Sequence, residues 1–244
     1  MERKIILTGD GSSSLRVPEL NVAYHSIYGA IQESIHVFID AGFYGSYQRR
    51  EPEPFRVFEL GFGTGLNALL TFIEAEKNNA KVYYETIEPF PLSEDEIKAL
   101  NYCQQLNRPD LLSTFEGLHN CEWKKEITVT ENFALKKLQT GIDNLPITIG
   151  ITTQQFSLVY FDAFAPNAQP ELWTKQVFDK IYSMLEPGGI LVTYCSKGDV
   201  RRAMMAAGFI VEKLPGPPHK REMIRARTRI NEIKGVRGNN PLSS

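Results

Sequence analysis

The sequence predicts an α/β protein organised around a doubly wound, mostly parallel sheet. Three observations carry that prediction. An apolar run over residues 55–60 is followed by three glycines in five positions, Gly61, Gly63 and Gly65. Leu66, Ala68, Leu69, Leu70, Phe72 and Ile73 then recur at helical spacing. Strand, glycine turn and helix form the opening βα unit of such a sheet, whose ligand sits beyond the carboxyl end of the strand. Two further strand-like runs, residues 81–87 and 156–161, each end in an acid, Glu88 and Asp162. Helical stripes separate the strands, as in Trp173, Val177, Ile181 and Leu185, and such a stripe is most simply core.

The elements follow in order. Ile5-Ile6-Leu7-Thr8, a Gly-Asp-Gly turn and Leu15-Arg16-Val17 read as a small hairpin. Ile27, Ile31, Ile35, Phe38 and Ile39 then give a helix ending near Gly42, and Glu51-Pro52-Glu53-Pro54 reads as a linker. These residues, 1–54, form an N-terminal extension expected to cover the site. In it His25 and Glu33 are the polar residues that could face a ligand, although a surface position is the simpler reading. The main domain is expected over 55–230. After the glycine turn and its helix, residues 81–87 are the second strand. Ser93-Glu94-Asp95-Glu96 is a capping box opening the next helix, and residues 107–125 form a helical or loop insertion. Ile127-Thr128-Val129-Thr130 is the third strand, with a helix expected from Phe133 to Gly141. Residues 156–161 are the fourth strand and residues 187–194 a helix stop and fifth strand. Residues 200–207 and 209–211 are a helix and sixth strand. Pro215-Gly216-Pro217-Pro218 forces a loop, and Met223-Ile224 begins a last strand. Residues 231–244 read as a flexible tail.

At 244 residues with 42% hydrophobic content, the chain has ample material for one large core. Its net charge of −2 hides an asymmetry. Residues 197–244 hold 11 Lys/Arg against 4 Asp/Glu, and residues 1–196 hold 16 against 25. A basic end on an acidic body points to an anionic partner, or more simply to a solvated face. The three cysteines lie far apart without Cys-x-x-Cys spacing, which argues against zinc or a disulfide frame and fits a reducing cytoplasm. No signal peptide or membrane-length apolar window is expected, and no feature calls for an obligate protein partner.

The chemistry-bearing residues cluster at strand ends. A dinucleotide fingerprint wants Gly-x-Gly-x-x-Gly, but Leu66 holds its third position and the glycine falls one residue early, at Gly65. Gly-x-Gly-x-Gly behind Glu59 is instead the pattern of S-adenosylmethionine (SAM) methyltransferases. A nucleotide cofactor and a purely structural turn remain the alternatives. Glu88, at the tip of the second strand, can accept hydrogen bonds from two ribose hydroxyls; a plain charged turn residue is the rival reading. Many SAM enzymes place an acid after the third strand for adenine; here Glu131, Asn132 or a backbone carbonyl would have to serve. Asp162 heads Asp-Ala-Phe-Ala-Pro-Asn, which resembles the acid–proline–aromatic turn of amino-group methyltransferases. An alkylammonium has no lone pair, so the protein must orient it and handle its proton. Phe164 would stack on the target base and Pro166 would stiffen the turn. A helix cap is the bland alternative for Asp162.

The chain resembles the methyltransferase half of the bifunctional bacterial enzymes that make 5-methylaminomethyl-2-thiouridine at the tRNA wobble position (MnmC-like). The resemblance is carried by Glu59-Leu-Gly-Phe-Gly-Thr-Gly-Leu-Asn67, by Glu88-Pro-Phe-Pro-Leu92, and by Phe161-Asp-Ala-Phe-Ala-Pro166 with Pro170-Glu-Leu-Trp-Thr174. It continues through Pro187-Gly-Gly189, Val200-Arg-Arg202, Ala207-Gly-Phe209 and Lys220-Arg-Glu-Met223, and runs from about Tyr24 to Met223. It implies a Rossmann-like class I SAM-dependent methyltransferase with a seven-stranded sheet and an antiparallel last strand. It also implies methylation of the aminomethyl nitrogen, with Glu59, Gly61, Phe62, Gly63, Gly65, Asn67 and Glu88 around SAM and Asp162 at the amine. Tyr24, Phe164, Pro166, Lys220 and Arg221 are the candidate substrate contacts. No metal is expected. The family's bifunctional members continue into a flavin-dependent oxidase that this sequence lacks, so no FAD is expected and only the methylation step. The family's Gly-Asp pair after the third strand is replaced near Asn132-Phe133-Ala134. The basic residues Lys197, Arg201, Arg202, Lys213, Lys220, Arg221, Arg225, Arg227 and Arg229 would then line a phosphate track for an anticodon stem-loop. The rival functions are a SAM-dependent N-methyltransferase of a small amine, a non-catalytic tRNA-binding protein and a dinucleotide oxidoreductase.

Overall fold

The computed structural model describes residues 2–47, 54–145 and 155–230. The expected tail and most of the expected linker lie outside these residues. The chain opens with β1 (Lys4–Leu7), β2 (Ser13–Val17) and β3 (Val22–Ala23), then α1 (Ala30–Ser34), which runs through π-helical turns at Ile35–Tyr44 into α2 (Gly45–Tyr47). Then come β4 (Phe55–Leu60), α3 (Leu66–Asn78), β5 (Val82–Ile87), α4 (Glu94–Lys98), α5 (Tyr102–Gln105), α6 (Leu112–Asn120), β6 (Glu126–Thr128) and β7 (Phe133–Leu138). The last part holds β8 (Phe156–Phe161), α7 (Lys175–Met184), β9 (Leu185–Thr193), α8 (Gly198–Ala206), β10 (Ile210–Pro215) and β11 (Glu222–Arg227).

β1, β2 and β3 form a small antiparallel sheet, with Ile5 opposite Leu15. The main sheet has eight strands in the order β10-β11-β9-β8-β4-β5-β7-β6. Its centre is parallel, and the central strands are nearly continuous apolar runs because helices cover both faces. Alternate residues of β8 feed the two layers. Leu158 and Tyr160 join Phe38, Leu69 and Phe72 on one face, and Val159 and Phe161 join Trp173, Phe178 and Leu191 on the other. Full burial of each such side chain contributes roughly 1.5–3 kcal/mol. Because the Phe38 ring lies 5.2 Å from that of Tyr160 on β8, the helix of the N-terminal extension packs directly onto the main sheet.

The last strand is reversed as expected: β11 runs antiparallel to both β9 and β10, between them. Two expectations need correction. Among the described residues the sheet has eight strands, not seven, because residues 133–138 add a parallel strand beside β5, and the expected third strand, at residues 126–128, is an antiparallel edge strand on β7. Residues 133–138 are a strand, not a helix. Phe133, Leu135 and Lys137 are buried in alternation, and all six residues pair in parallel with β5. A six-residue segment of mixed apolar and lysine residues fits either period; the partner strand decides it. The capping box at Ser93 and Glu96 is present.

Candidate active site

The strand order reverses between β4 and β8. From β4 the chain moves one way to β5 and β7, then crosses back to β8 and β9 on the other side. A doubly wound sheet opens a ligand crevice at that point, outside the carboxyl ends. The register levels those ends: Leu60 pairs with both Ile87 and Phe161. Gly61, Glu88 and Asp162, far apart in sequence, therefore emerge side by side. At Gly61 (φ 96°) a Cβ would stand 2.7 Å from the Asp162 carbonyl oxygen. Only glycine allows the two strand ends to approach so closely. Gly65 (φ 71°) starts α3, and there a Cβ would fall 2.7 Å from His119 Nε2.

A cleft with about 940 Å³ of empty space, open solvent included, lies over this edge. Among the sequence candidates, Gly61, Phe62, Gly63, Asn67 and Glu88 line it on the expected cofactor side, and Tyr24, Asp162 and Phe164 line it on the acceptor side. Glu88 is buried, and both carboxylate oxygens are engaged. One accepts the Gly63 N–H at 2.9 Å and the other the Phe90 N–H at 2.8 Å. Burial lifts its carboxyl above the usual range. Glu59 does not line the cleft. It is wholly buried and accepts hydrogen bonds from Thr86 Oγ1 at 2.9 Å and Asn67 Nδ2 at 3.1 Å. The same Asn67 Nδ2 donates to Asp162 Oδ2 at 2.9 Å, so Glu59 orients the amide that orients Asp162. Burial raises the Glu59 carboxyl well above its ordinary range, with the neighbouring Asp162 charge adding to the effect. Asn67 Oδ1 is buried without a hydrogen-bond partner among the described residues.

Asp162 ends β8, and its turn is fixed from several sides. Trp173 Nε1 donates to the Phe164 carbonyl at 2.8 Å, Tyr194 OH to the Ala163 carbonyl at 2.9 Å, and the Phe164 N–H to Gln169 Oε1 at 3.2 Å. Burial pushes the Asp162 carboxyl up to about 7; nearby Glu33 adds to the rise, and the Asn67 hydrogen bond and Lys220 oppose it. Phe164 meets Tyr24 edge-on, with ring centroids 5.0 Å apart, giving the acceptor side an aromatic wall. Pro166 lies beyond the cleft in the same turn.

Several placements differ from the sequence expectation. His25 and Glu33 are not surface residues. His25 lines the cleft, with Nε2 3.3 Å from Thr64 Oγ1 and Nδ1 3.2 Å from Ser14 Oγ, and burial lowers its pKa to about 4. Glu33 is 6% exposed and forms an ion pair with Lys220. Lys220 is therefore not a free phosphate contact; its ammonium lies 4.2 Å above the Tyr194 ring. Most of the expected basic track is likewise neutralised. Lys213 pairs with Glu222, Arg225 and Arg227 with Glu212, and Arg202 with Asp199. Arg201, Arg221 and Arg229 have no ion-pair partner among the described residues. Glu131 and Asn132, the expected adenine contacts, precede β7 and so lie at its opposite end. The residues beyond its carboxyl end that line the cleft are Gly141 and Ile142. The error in period at 133–138 had moved the strand end by eight residues. The sequence offers Glu33 as a residue that could face a ligand but favours a surface position, because its partner lies 187 residues away along the chain.

A family model for S-adenosyl-L-methionine-dependent methyltransferases matches residues 104–229, just over half of the chain. The chain belongs to that family. It is 27% identical over 216 residues to the tRNA 5-methylaminomethyl-2-thiouridine biosynthesis bifunctional protein MnmC of Actinobacillus pleuropneumoniae serotype 5b, covering 82% of this chain and 31% of that protein. It is 29% identical over 231 residues to the protein of the same name from Pseudomonas savastanoi pv. phaseolicola, covering 88% and 33%. The chain thus spans about a third of the length of these curated relatives, and the match is to their methyltransferase part. The crystal structure of MNMC2 from Aquifex aeolicus shares the fold, with a TM-score of 0.73 at 24% identity, over 94% of this chain and 71% of that one.

The residues present fit SAM. Gly61, Gly63, Asn67 and Glu88 line the cleft together, and the buried Asn67 Oδ1 has no hydrogen-bond partner among the described residues. The methyltransferase would hold the cofactor with Gly61, Gly63, Asn67 and Glu88, and with the Gly141–Ile142 backbone where adenine recognition was expected.

Proposed function

We propose that this methyltransferase acts on tRNA. It methylates the amino nitrogen of 5-aminomethyl-(2-thio)uridine at the wobble position, giving 5-methylaminomethyl-(2-thio)uridine. The observation that carries this reading is Asp162. A carboxyl poised near neutral pH stands in the crevice beside the glycine cradle, under the Tyr24–Phe164 wall. That is the equipment for an amine bound as its ammonium, whose proton must be taken before the nitrogen can attack. The likeness to MnmC points to the same substrate.

SAM supplies an electrophilic methyl group. The chain's own residues do the rest. Asp162 accepts a hydrogen bond from the amine, holds it and takes its proton. Asn67, fixed by Glu59, keeps the Asp162 carboxylate in one orientation. Phe164 and Tyr24 pack against the base and keep water from the nitrogen. Arg201, Arg221 and Arg229 contact phosphates and set register without reading sequence. Reading the splayed-out base falls to the pocket.

The test is methyl transfer from labelled SAM to tRNA carrying the aminomethyl group. Unmodified tRNA and the Asp162→Ala variant serve as controls. Label in modified tRNA alone, lost in the variant, is the expected result. Absence of label in the presence of normal SAM binding would overturn the reading and favour a small-amine acceptor.

A further inference from the structure

Three charges from distant parts of the chain interact beside the cleft, which Asp162 lines and Glu33 and Lys220 do not. Asp162 comes from the end of β8, Glu33 from α1, and Lys220 from the loop before β11. Only one of the two carboxylates holds the cation. Lys220 Nζ donates to Glu33 Oε1, and Glu33 Oε2 accepts the Ser26 N–H at 2.9 Å. Both oxygens of Glu33 are thereby used. The ammonium is steered from below by the Tyr194 face at 4.2 Å, and Tyr194 is itself pinned by its hydroxyl to the carbonyl of Ala163, next to Asp162. Among the described residues, Asp162 keeps just one side-chain hydrogen bond, from neutral Asn67.

We propose that Glu33 and Lys220 are positioning residues of the acceptor site: Glu33 holds the Lys220 ammonium away from Asp162, leaving that carboxylate free for the acceptor's ammonium. With one lysine and two carboxylates, the cluster carries one net negative charge, the complement of a single primary alkylammonium. The inference rests on the reading of Asp162 as the acceptor carboxylate. In the step it prepares, an N–H bond of the bound ammonium breaks and its electron pair stays on nitrogen. The proton passes to an Asp162 oxygen and later leaves to solvent.

The surroundings contain few other charges that could do this work. Asp162 faces Asn67 from α3, with Glu59 behind it on β4, Tyr84 on β5, Tyr102 on α5 and Tyr194 after β9. Burial raises the carboxyl of Glu59 and the hydroxyls of all three tyrosines above their usual ranges, which works against a charge on any of them. Glu33 also faces His25, which burial keeps neutral. This leaves Glu33 and Lys220 as the charges that set Asp162, and they act in opposite senses.

The two single substitutions should therefore have opposite effects. In Glu33→Gln the lysine loses its partner and turns to Asp162, and the Asp162 titration midpoint falls. In Lys220→Met the bare Glu33 charge faces Asp162, and the midpoint rises. A charge a few ångströms away moves a carboxyl by about one pH unit or more. The double variant should return close to wild type, and Lys220→Arg should stay there. The measurement is carboxyl carbon NMR of protein labelled at aspartate, with the Asp162 signal assigned by its loss in Asp162→Asn. Thermal unfolding of each variant confirms that it is folded. Midpoints that do not move, or that move the same way in both single variants, would overturn the proposal and leave a purely structural ion pair. This arm needs no acceptor, so it still decides if the tRNA reading fails. If aminomethyl tRNA is methylated, the acid limb of the rate profile should move with the same signs. A limb that ignores both substitutions would also overturn the proposal.

Discussion

Asp162→Asn should make the protein more stable at alkaline pH and inactive. The carboxyl has an ordinary value of 3.8 and is pushed up to about 7 in the fold, chiefly by burial. The folded protein thus binds this proton more tightly than the unfolded chain. The stability contributed by the protonated group is complete below about pH 4 and is lost as pH rises through about 7. One pH unit of separation corresponds to about 1.4 kcal/mol, so between pH 4.5 and 8.5 the group costs the wild type roughly 3 kcal/mol. Asparagine has no proton to lose, keeps the shape, and can still accept from Asn67 Nδ2 through its carbonyl oxygen. The stability of Asp162→Asn relative to wild type should therefore rise by roughly 3 kcal/mol across that pH range. Urea unfolding at the two pH values measures it, provided the slope with denaturant is unchanged. An equal difference at both pH values would refute the reasoning, because the carboxyl would then be ionised in the fold throughout. A stabilised but inactive variant would show that the buried charge is kept for function at the expense of stability.

Two further outcomes follow from the site. Gly65→Ala places a Cβ 2.7 Å from His119 Nε2 in a backbone at φ 71°. A left-handed non-glycine residue costs about 1–2 kcal/mol, so the melting temperature should fall by several degrees and calorimetric SAM affinity should drop; normal affinity would remove the glycine turn from the cofactor site. Arg221→Glu should weaken tRNA binding and lower the slope of log affinity against log salt by about one, whereas the same change at ion-paired Arg227 should leave that slope closer to wild type.

The sequence by itself determined most of the elements and the sheet edge over which the cleft opens. The βα unit at residues 55–73, the acids Glu88 and Asp162 at strand tips, and the reversed last strand are local patterns. They were legible because apolar period, glycine turns and strand-end acids are written in adjacent residues. The likeness carried by Phe161-Asp-Ala-Phe-Ala-Pro166 and Lys220-Arg-Glu-Met223 placed the chain near MnmC for the same reason. Where a segment fits two periods, local reading fails. Residues 133–138 became a strand only through β5 beside them, and with that the residues beyond its carboxyl end that line the cleft became Gly141 and Ile142. Charge was the other quantity that only tertiary structure decided. A basic C-terminal stretch reads as a free phosphate track when counted along the chain, yet Arg202, Lys213, Lys220, Arg225 and Arg227 are paired with carboxylates in the fold. Glu33 and Lys220 are 187 positions apart, and no pattern in either segment announces the pair. An ion pair, like a pKa, depends on distance and burial in space, and those exist only after the chain has folded.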